Sequence, residues 1–304
     1  VEAIPVSVPG TTVAVSDRPT AWWLSTLKKR RERMYDESLD LSTPPTFADE
    51  AERQAAIAFF NAAFRAEESG LRQAHDLADE VAAWDPELGE TLRLYGDEEG
   101  WHRALLTEFI GWLGGGIRPM GRVTGTFYKL YGRADRMDTI VLTNLMFETI
   151  GSTTYRLALR TAEHPVIRQM LAILTRDESF HVPLNVHFLR RVLARERPTA
   201  ADRARLGAVY HGLTVALAGS AIASRRRAKA FDKIELSTLA RAYVEQLGGL
   251  FLRAPDLGLR PSRAVLAAFG LGIAAVERAH DGSGISLAAA ERAADRSNVV
   301  VSAY

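Results

Sequence analysis

No cysteine occurs among the 304 residues. That absence excludes disulfides, thiolate zinc sites, protein-held iron–sulfur clusters and a cysteine nucleophile, so any redox chemistry must use another centre. Nor does one charge prevail: 38 Lys and Arg stand against 37 Asp and Glu, and no global field favours nucleic acid or an anionic membrane. Long hydrophobic runs are missing too. The nearest approach, LGAVYHGLTVALAGSAIA at 206–223, carries His211 and three glycines and reads as a buried helix rather than a membrane span. The opening VEAIPVSVPGTTVAVSDRPT has neither a basic start nor a long apolar stretch, so no signal peptide is expected and the expected location is cytoplasmic.

What the chain does have is helical periodicity. Residues 1–18 read as an extended arm, but from about 47 onward Ala and Leu recur at helical spacing, with no convincing period-two strand. The expected class is all-α. Pro and Gly punctuate it at WDPE (84–87), GGGIRPMG (114–121), EHPV (163–166), ERPTA (196–200) and RAPDLGLRPS (253–262), where helices stop or start. Long helices are expected over 48–82, 87–112, 135–162 and 166–194, with others near 200–224, 231–252 and 261–281. The organisation expected is an N-terminal arm and short helix (1–46), a four-helix bundle (47–195) and additional helices packing on it (196–304).

An internal repeat gives this bundle a chemistry. DPELGETLRLYGDEEGWHRALLTEFI (85–110) aligns without a gap on HPVIRQMLAILTRDESFHVPLNVHFL (164–189), which places Pro86 on Pro165, Glu99 on Glu178, His102 on His181 and Phe109 on Phe188. Glu and His three apart project from one face of a helix turn. Each motif follows a helix with an inward-facing acid: Glu148 lies 30 residues before Glu178, and Glu68 lies 31 before Glu99. Aligning LA at 77–78 with LA at 157–158 puts Glu68 on Glu148; Glu67 is the alternative. Four carboxylates and two imidazoles aimed at one point would repel prohibitively without a strongly cationic partner. Two metal ions meet that demand, and oxygen with imidazole ligands suits iron or manganese.

This pattern resembles the ferritin-like diiron-carboxylate proteins, whose ligand set is a Glu from each of two helices and Glu-x-x-His from each of two others. Within that group, EEGWH and DESFH are similar to the paired motifs of acyl-carrier-protein desaturases. The likeness covers roughly residues 48–194. It implies a ferritin-like bundle in which Glu99 and Glu178 bridge two metals, Glu68 and His102 complete one, and Glu148 and His181 the other. Glu98 and Asp177 would accept the free imidazole N–H from the facing helix. Ser152, one turn after Glu148 where several related monooxygenases carry threonine, would relay protons; bonding its own helix carbonyl is the competing role. Gly151 would open space for substrate.

The implied cofactors are two iron ions, with manganese or a mixed pair as alternatives, and O2 as co-substrate. The implied function is a diiron oxygenase or oxidase that hydroxylates, desaturates or otherwise oxidises an organic substrate, small or carrier-bound. Electrons would come from a ferredoxin or reductase, since no flavin or iron–sulfur motif is present. The aminobenzoate N-oxygenase type adds a third histidine one turn before its second motif glutamate, where this chain has Leu174, which disfavours N-oxygenation of an amine without removing it as an alternative. The radical subunit of ribonucleotide reductase carries a tyrosine where this chain has Leu106. A ferroxidase is a further alternative, set against some 110 residues beyond the ligand helices. No nucleic-acid or membrane partner is expected, and a homodimer stays open.

Other features have plainer readings. The basic runs LKKRRER (27–33) and SRRRAK (224–229) suit either a solvated helix face or the docking of an acidic carrier or ferredoxin. His75 and Tyr155, seven residues beyond Glu68 and Glu148, are expected to face inward as core or pocket lining, about 10 Å along the helix and too far to ligate. VERAH (276–280) repeats Glu-x-x-His without a partner, so Glu277 and His280 are read as surface residues.

Overall fold

A computed structural model describes residues 18–34, 36–120, 125 and 134–259, apart from some side chains between 218 and 253. Among the described residues the regular elements are all helical. They are α1 (Thr20–Met34), α2 (Glu50–Ala82), α3 (Pro86–Trp112), α4 (Met137–Thr161), α5 (Pro165–Glu196), α6 (Ala200–Asp232) and α7 (Leu236–Arg253), then a 3-10 turn at Pro255–Leu257. The described part of the chain is therefore all-α. The fifth expected helix runs on to Asp232 instead of ending near 224, and the helix expected over 261–281 lies outside the described residues, as do residues 1–17 and VERAH. No described helix is long and apolar enough to cross a membrane.

Local chemistry sets the boundaries. Asp49 caps α2 by accepting from the Glu52 amide, and Asp85 does the same for α3 from the Leu88 amide, with Pro86 in the first turn. His164 and Pro165 open α5 in like manner. These devices satisfy amides that have no partner within the helix. Three-residue connections at 83–85 and 162–164 fold α2 against α3 and α4 against α5 as two antiparallel hairpins. The α1 helix lies on α3, α6 packs on α2 and α4, and α7 packs on α4.

The apolar core is divided. One cluster holds Ala74 to Val81 of α2, Leu88 to Tyr95 of α3, Met137 to Met146 of α4 and Phe180 to Val192 of α5. The other holds Ala55 to Phe64, Leu105 to Leu113, Tyr155 to Leu159 and Val166 to Leu174 of the same four helices. On each helix the change from one cluster to the other falls at the acidic motif. The polar residues therefore sit at mid-height between two oily layers, where an unpaired charge is most costly.

Candidate metal centre

Four helices deliver the cluster. Glu67 comes from α2, Glu99 and His102 from α3, Glu148 from α4, and Glu178 and His181 from α5, and all six are buried. Potential ligand atoms of Glu67, Glu99, His102 and Glu178 lie within 4.8 Å of one another, as do those of Glu99, Glu148 and His181. Glu99 belongs to both groups. These buried Glu and His groups can hold metal ions.

Glu67, not the expected Glu68, enters the cluster. Glu68 is paired with Arg65 at 2.5 Å, its side chain 28 % exposed. The reason is helical phase: the buried stripe of α2 runs through Phe60, Phe64, Glu67, Gly70, Ala74 and Ala78, and position 68 lies one residue, or about 100°, off it. The signal was available as a second alignment. EESG (67–70) on ETIG (148–151) places Glu67 on Glu148 and Gly70 on Gly151. Both glycines line one cleft beside the cluster. A Cβ on Gly70 would stand 3.1 Å from Glu99 Oε2, so glycine there lets α2 approach the shared carboxylate closely.

Each imidazole is held from behind by the acid of the facing hairpin. His102 Nε2 lies 3.0 Å from Asp177 Oδ2, and His181 Nε2 lies 2.8 Å from Glu98 Oε2. Donation of Nε2–H to these acids leaves both Nδ1 atoms turned inward, each free to ligate once its own proton is lost: His102 Nδ1 towards Glu67 at 3.2 Å, and His181 Nδ1 towards Glu99 at 3.0 Å and Glu148 at 3.5 Å. Two tyrosines complete the surround. Tyr95 donates to Glu148, and Tyr155 Oη lies 3.4 Å from Glu67 Oε1. Tyr95 and Arg30, whose guanidinium bonds both Glu98 and Asp177, had no part in the expected site. Arg30 lies on the buried stripe Trp23, Leu27, Arg30, Met34 of α1, a helical spacing visible in the sequence within a run taken for surface charge.

Other expectations fare differently. Ser152 is absent from the cleft lining, which includes Asn144, Gly151 and Tyr155 instead. His75 is not inward: it is 41 % exposed and pairs with Asp97 at 3.2 Å. Its counterpart in the corrected alignment is Arg156, whereas Tyr155 matches Ala74. In the basic runs, Lys28 pairs with Glu90, Arg225 with Asp232 and Lys229 with Glu235.

Protein atoms alone leave this cluster unsatisfied, which tests its fit to a cation. Glu99 Oε1, Glu148 Oε2 and His181 Nδ1 are buried without a hydrogen-bond partner, although the nitrogen is within 3.5 Å of both oxygens. Three unpartnered donor atoms converging on one point are uncommon in a folded interior and have the chemistry of a ligand set. Protons otherwise carry the missing positive charge. Burial, then Glu67 and Glu148, push the Glu99 carboxyl well above the usual range, and burial with Glu148 and Glu67 does the same to Glu178. Burial opposes ionisation of Glu148, but the adjoining Glu178 and His181, with the Tyr95 hydroxyl, hold it down to about 2. Burial also disfavours the imidazolium form, yet Asp177 and Glu67 lift His102 to about 10, and Glu99, Glu148, Glu178 and Glu98 lift His181 well above its ordinary value.

No family model, curated protein or solved structure matches the chain.

Proposed function

We propose that α2–α5 form a ferritin-like four-helix bundle around a dinuclear metal centre, and that the protein is a diiron oxygenase or oxidase acting on an organic substrate. The observation that carries this reading is the convergence of the three unpartnered donor atoms, Glu99 Oε1, Glu148 Oε2 and His181 Nδ1, beside a second Glu–His group that shares Glu99. Glu67, Glu99, His102 and Glu178 would hold one ion, and Glu99, Glu148 and His181 the other. When bound, a reduced iron pair supplies the redox chemistry that activates dioxygen.

The chain's own residues do the rest. Asp177 and Glu98 fix the tautomer and orientation of the two imidazoles. Tyr95 and Tyr155 hold the outer carboxylates Glu148 and Glu67 in place. The two apolar layers above and below exclude water, and a narrow cleft along Glu67, Gly70, Glu99, Asn144, Phe147 and Gly151 reaches the shared carboxylate. Some 110 residues beyond the ligand helices, more than an iron store needs, favour an organic substrate over iron storage. A ferredoxin or reductase would supply the electrons.

The test is metal content together with turnover. Protein produced on iron should carry close to two irons per chain, with a marked loss in His102→Ala and in Glu178→Ala, and aerobic turnover with a reductant should yield an oxidised organic product. Full metal content in both variants would overturn the assignment.

A further inference from the structure

We propose that Arg30 is a positioning residue for the metal centre and that it serves the two halves unequally: the orientation of His181 depends on it, and that of His102 does not. This rests on the dinuclear reading above. Arg30 lies on α1, outside the duplicated hairpins, and is only 8 % exposed. Its Nε is 2.9 Å from Glu98 Oε1 and its Nη2 is 2.6 Å from Asp177 Oδ1. The guanidinium carbon also lies 4.4 Å from the centre of the Phe180 ring, which packs against the fork between the two acids. One cation thus ties together the acid behind His181 and the acid behind His102.

The two acids differ in what else they have. Asp177 meets a second guanidinium, with Arg176 Nε at 2.7 Å and Nη2 at 2.8 Å, and Arg176 is itself fixed by Glu37 at 2.6 and 2.7 Å. Glu98, among the described residues, meets positive charge in Arg30 and His181 alone. Removing Arg30 therefore leaves Asp177 with a guanidinium of its own, whereas Glu98 keeps only the imidazole it orients and loses the group that fixes its own position.

Manganese(II) titration of the metal-free full-length protein, followed by calorimetry and by the electron paramagnetic resonance of free Mn(II), tests this. Wild type should take two ions. Arg30→Met should keep one at unchanged affinity and bind the other about 10- to 100-fold more weakly, the range typical of lost outer-shell partners. The weakened position is identified by combination: Arg30→Met added to His181→Ala should change nothing further, but added to His102→Ala it should remove most remaining binding. Glu98→Gln should weaken the same position, and Arg30→Met should cost nothing more in its presence, an outcome that general loosening of α1 would not give. Trp23→Ala, which undermines α1 packing without touching the charges, should lower the melting temperature and leave both affinities intact. Should Arg30→Met not fold, Arg30→Lys and Glu98→Gln give the same reading, with Arg30→Lys intermediate. Equal weakening of both positions, or of neither, would overturn the proposal. A wild-type protein that takes up fewer than two ions would overturn the dinuclear reading instead.

Discussion

Seven positions after Glu148 on α4 stands Tyr155; seven after Glu67 on α2 stands Ala74. Four positions before Glu99 on α3 stands Tyr95; four before Glu178 on α5 stands Leu174. The hairpins share their acids, imidazoles and inward glycines at matching positions, but each has one tyrosine, at a different place. Both hydroxyls nevertheless reach across to the outer glutamate of the opposite hairpin, Tyr95 to Glu148 and Tyr155 to Glu67. The likeness therefore resides in the pairing of groups and not in the positions that supply them. A buried acceptor left without a partner is costly, and the two halves supply one to their outer glutamates by different routes.

A second contrast concerns charge. Asp177, on its shorter arm, is held by Arg30, Arg176 and His102, while Glu98 has Arg30 and His181. Burial opposes ionisation of both; His102 and Arg176, with Arg30, keep Asp177 well below the usual carboxylate range, and His181 and Arg30 lower Glu98 as well. The two halves of the cluster thus differ in the charge behind each imidazole as well as in the acids around it.

The sharpest way to break the correspondence between hairpins lies at its weakest alignment. Glu67→Ala should cost about one metal per chain, and Glu68→Ala, which removes only the pair with Arg65, should cost none and change stability by no more than about 1 kcal/mol. The reverse result, measured by elemental analysis of the purified variants, would restore the alignment on LA and dismiss the one on ETIG.

A smaller effect sharpens the electrostatic side of the comparison. Without metal, the raised values of Glu99, Glu178, His102 and His181 mean that the cluster holds protons at neutral pH. An ion must displace them, so binding releases protons and apparent affinity rises as pH rises. His102 titrates near 10, so the gain should continue above pH 8. Calorimetry in buffers of different ionisation heat would count the protons; uptake independent of pH between 6 and 8 would contradict the picture.

Much of this was legible in the chain. Asp49, Asp85 and the prolines at 86 and 165 mark helix starts by local chemistry, and the gapless repeat of Glu-x-x-His set α3 against α5 in register. Glu98 and Asp177 stood in the sequence beside the motif acids, and the structure has each of them bonded to the imidazole across from it. What escaped were polar residues lying on apolar stripes. Glu67 and Arg30 both fall where helical phase demands a buried side chain, yet the alignment on LA ranks Glu67 second to its neighbour and Arg30 stands within a basic run. The roles of Tyr95 and of Arg176 with Glu37 come from contacts between distant segments, which periodicity on one helix does not reveal. Ser152 was placed by likeness to other proteins, and the cleft lining includes Tyr155 and Asn144 but not Ser152.

The central claim is that six side chains from two hairpins converge because a pair of cations lies among them. Anomalous diffraction from crystals of the metal-loaded protein tests it most directly. The account predicts two peaks about 3.5–4 Å apart, one beside His102 and Glu67, the other beside His181 and Glu148, with Glu99 between them. A single ion on the protein surface, or a cluster that excludes metal while Glu99 and Glu178 keep their protons, would contradict it.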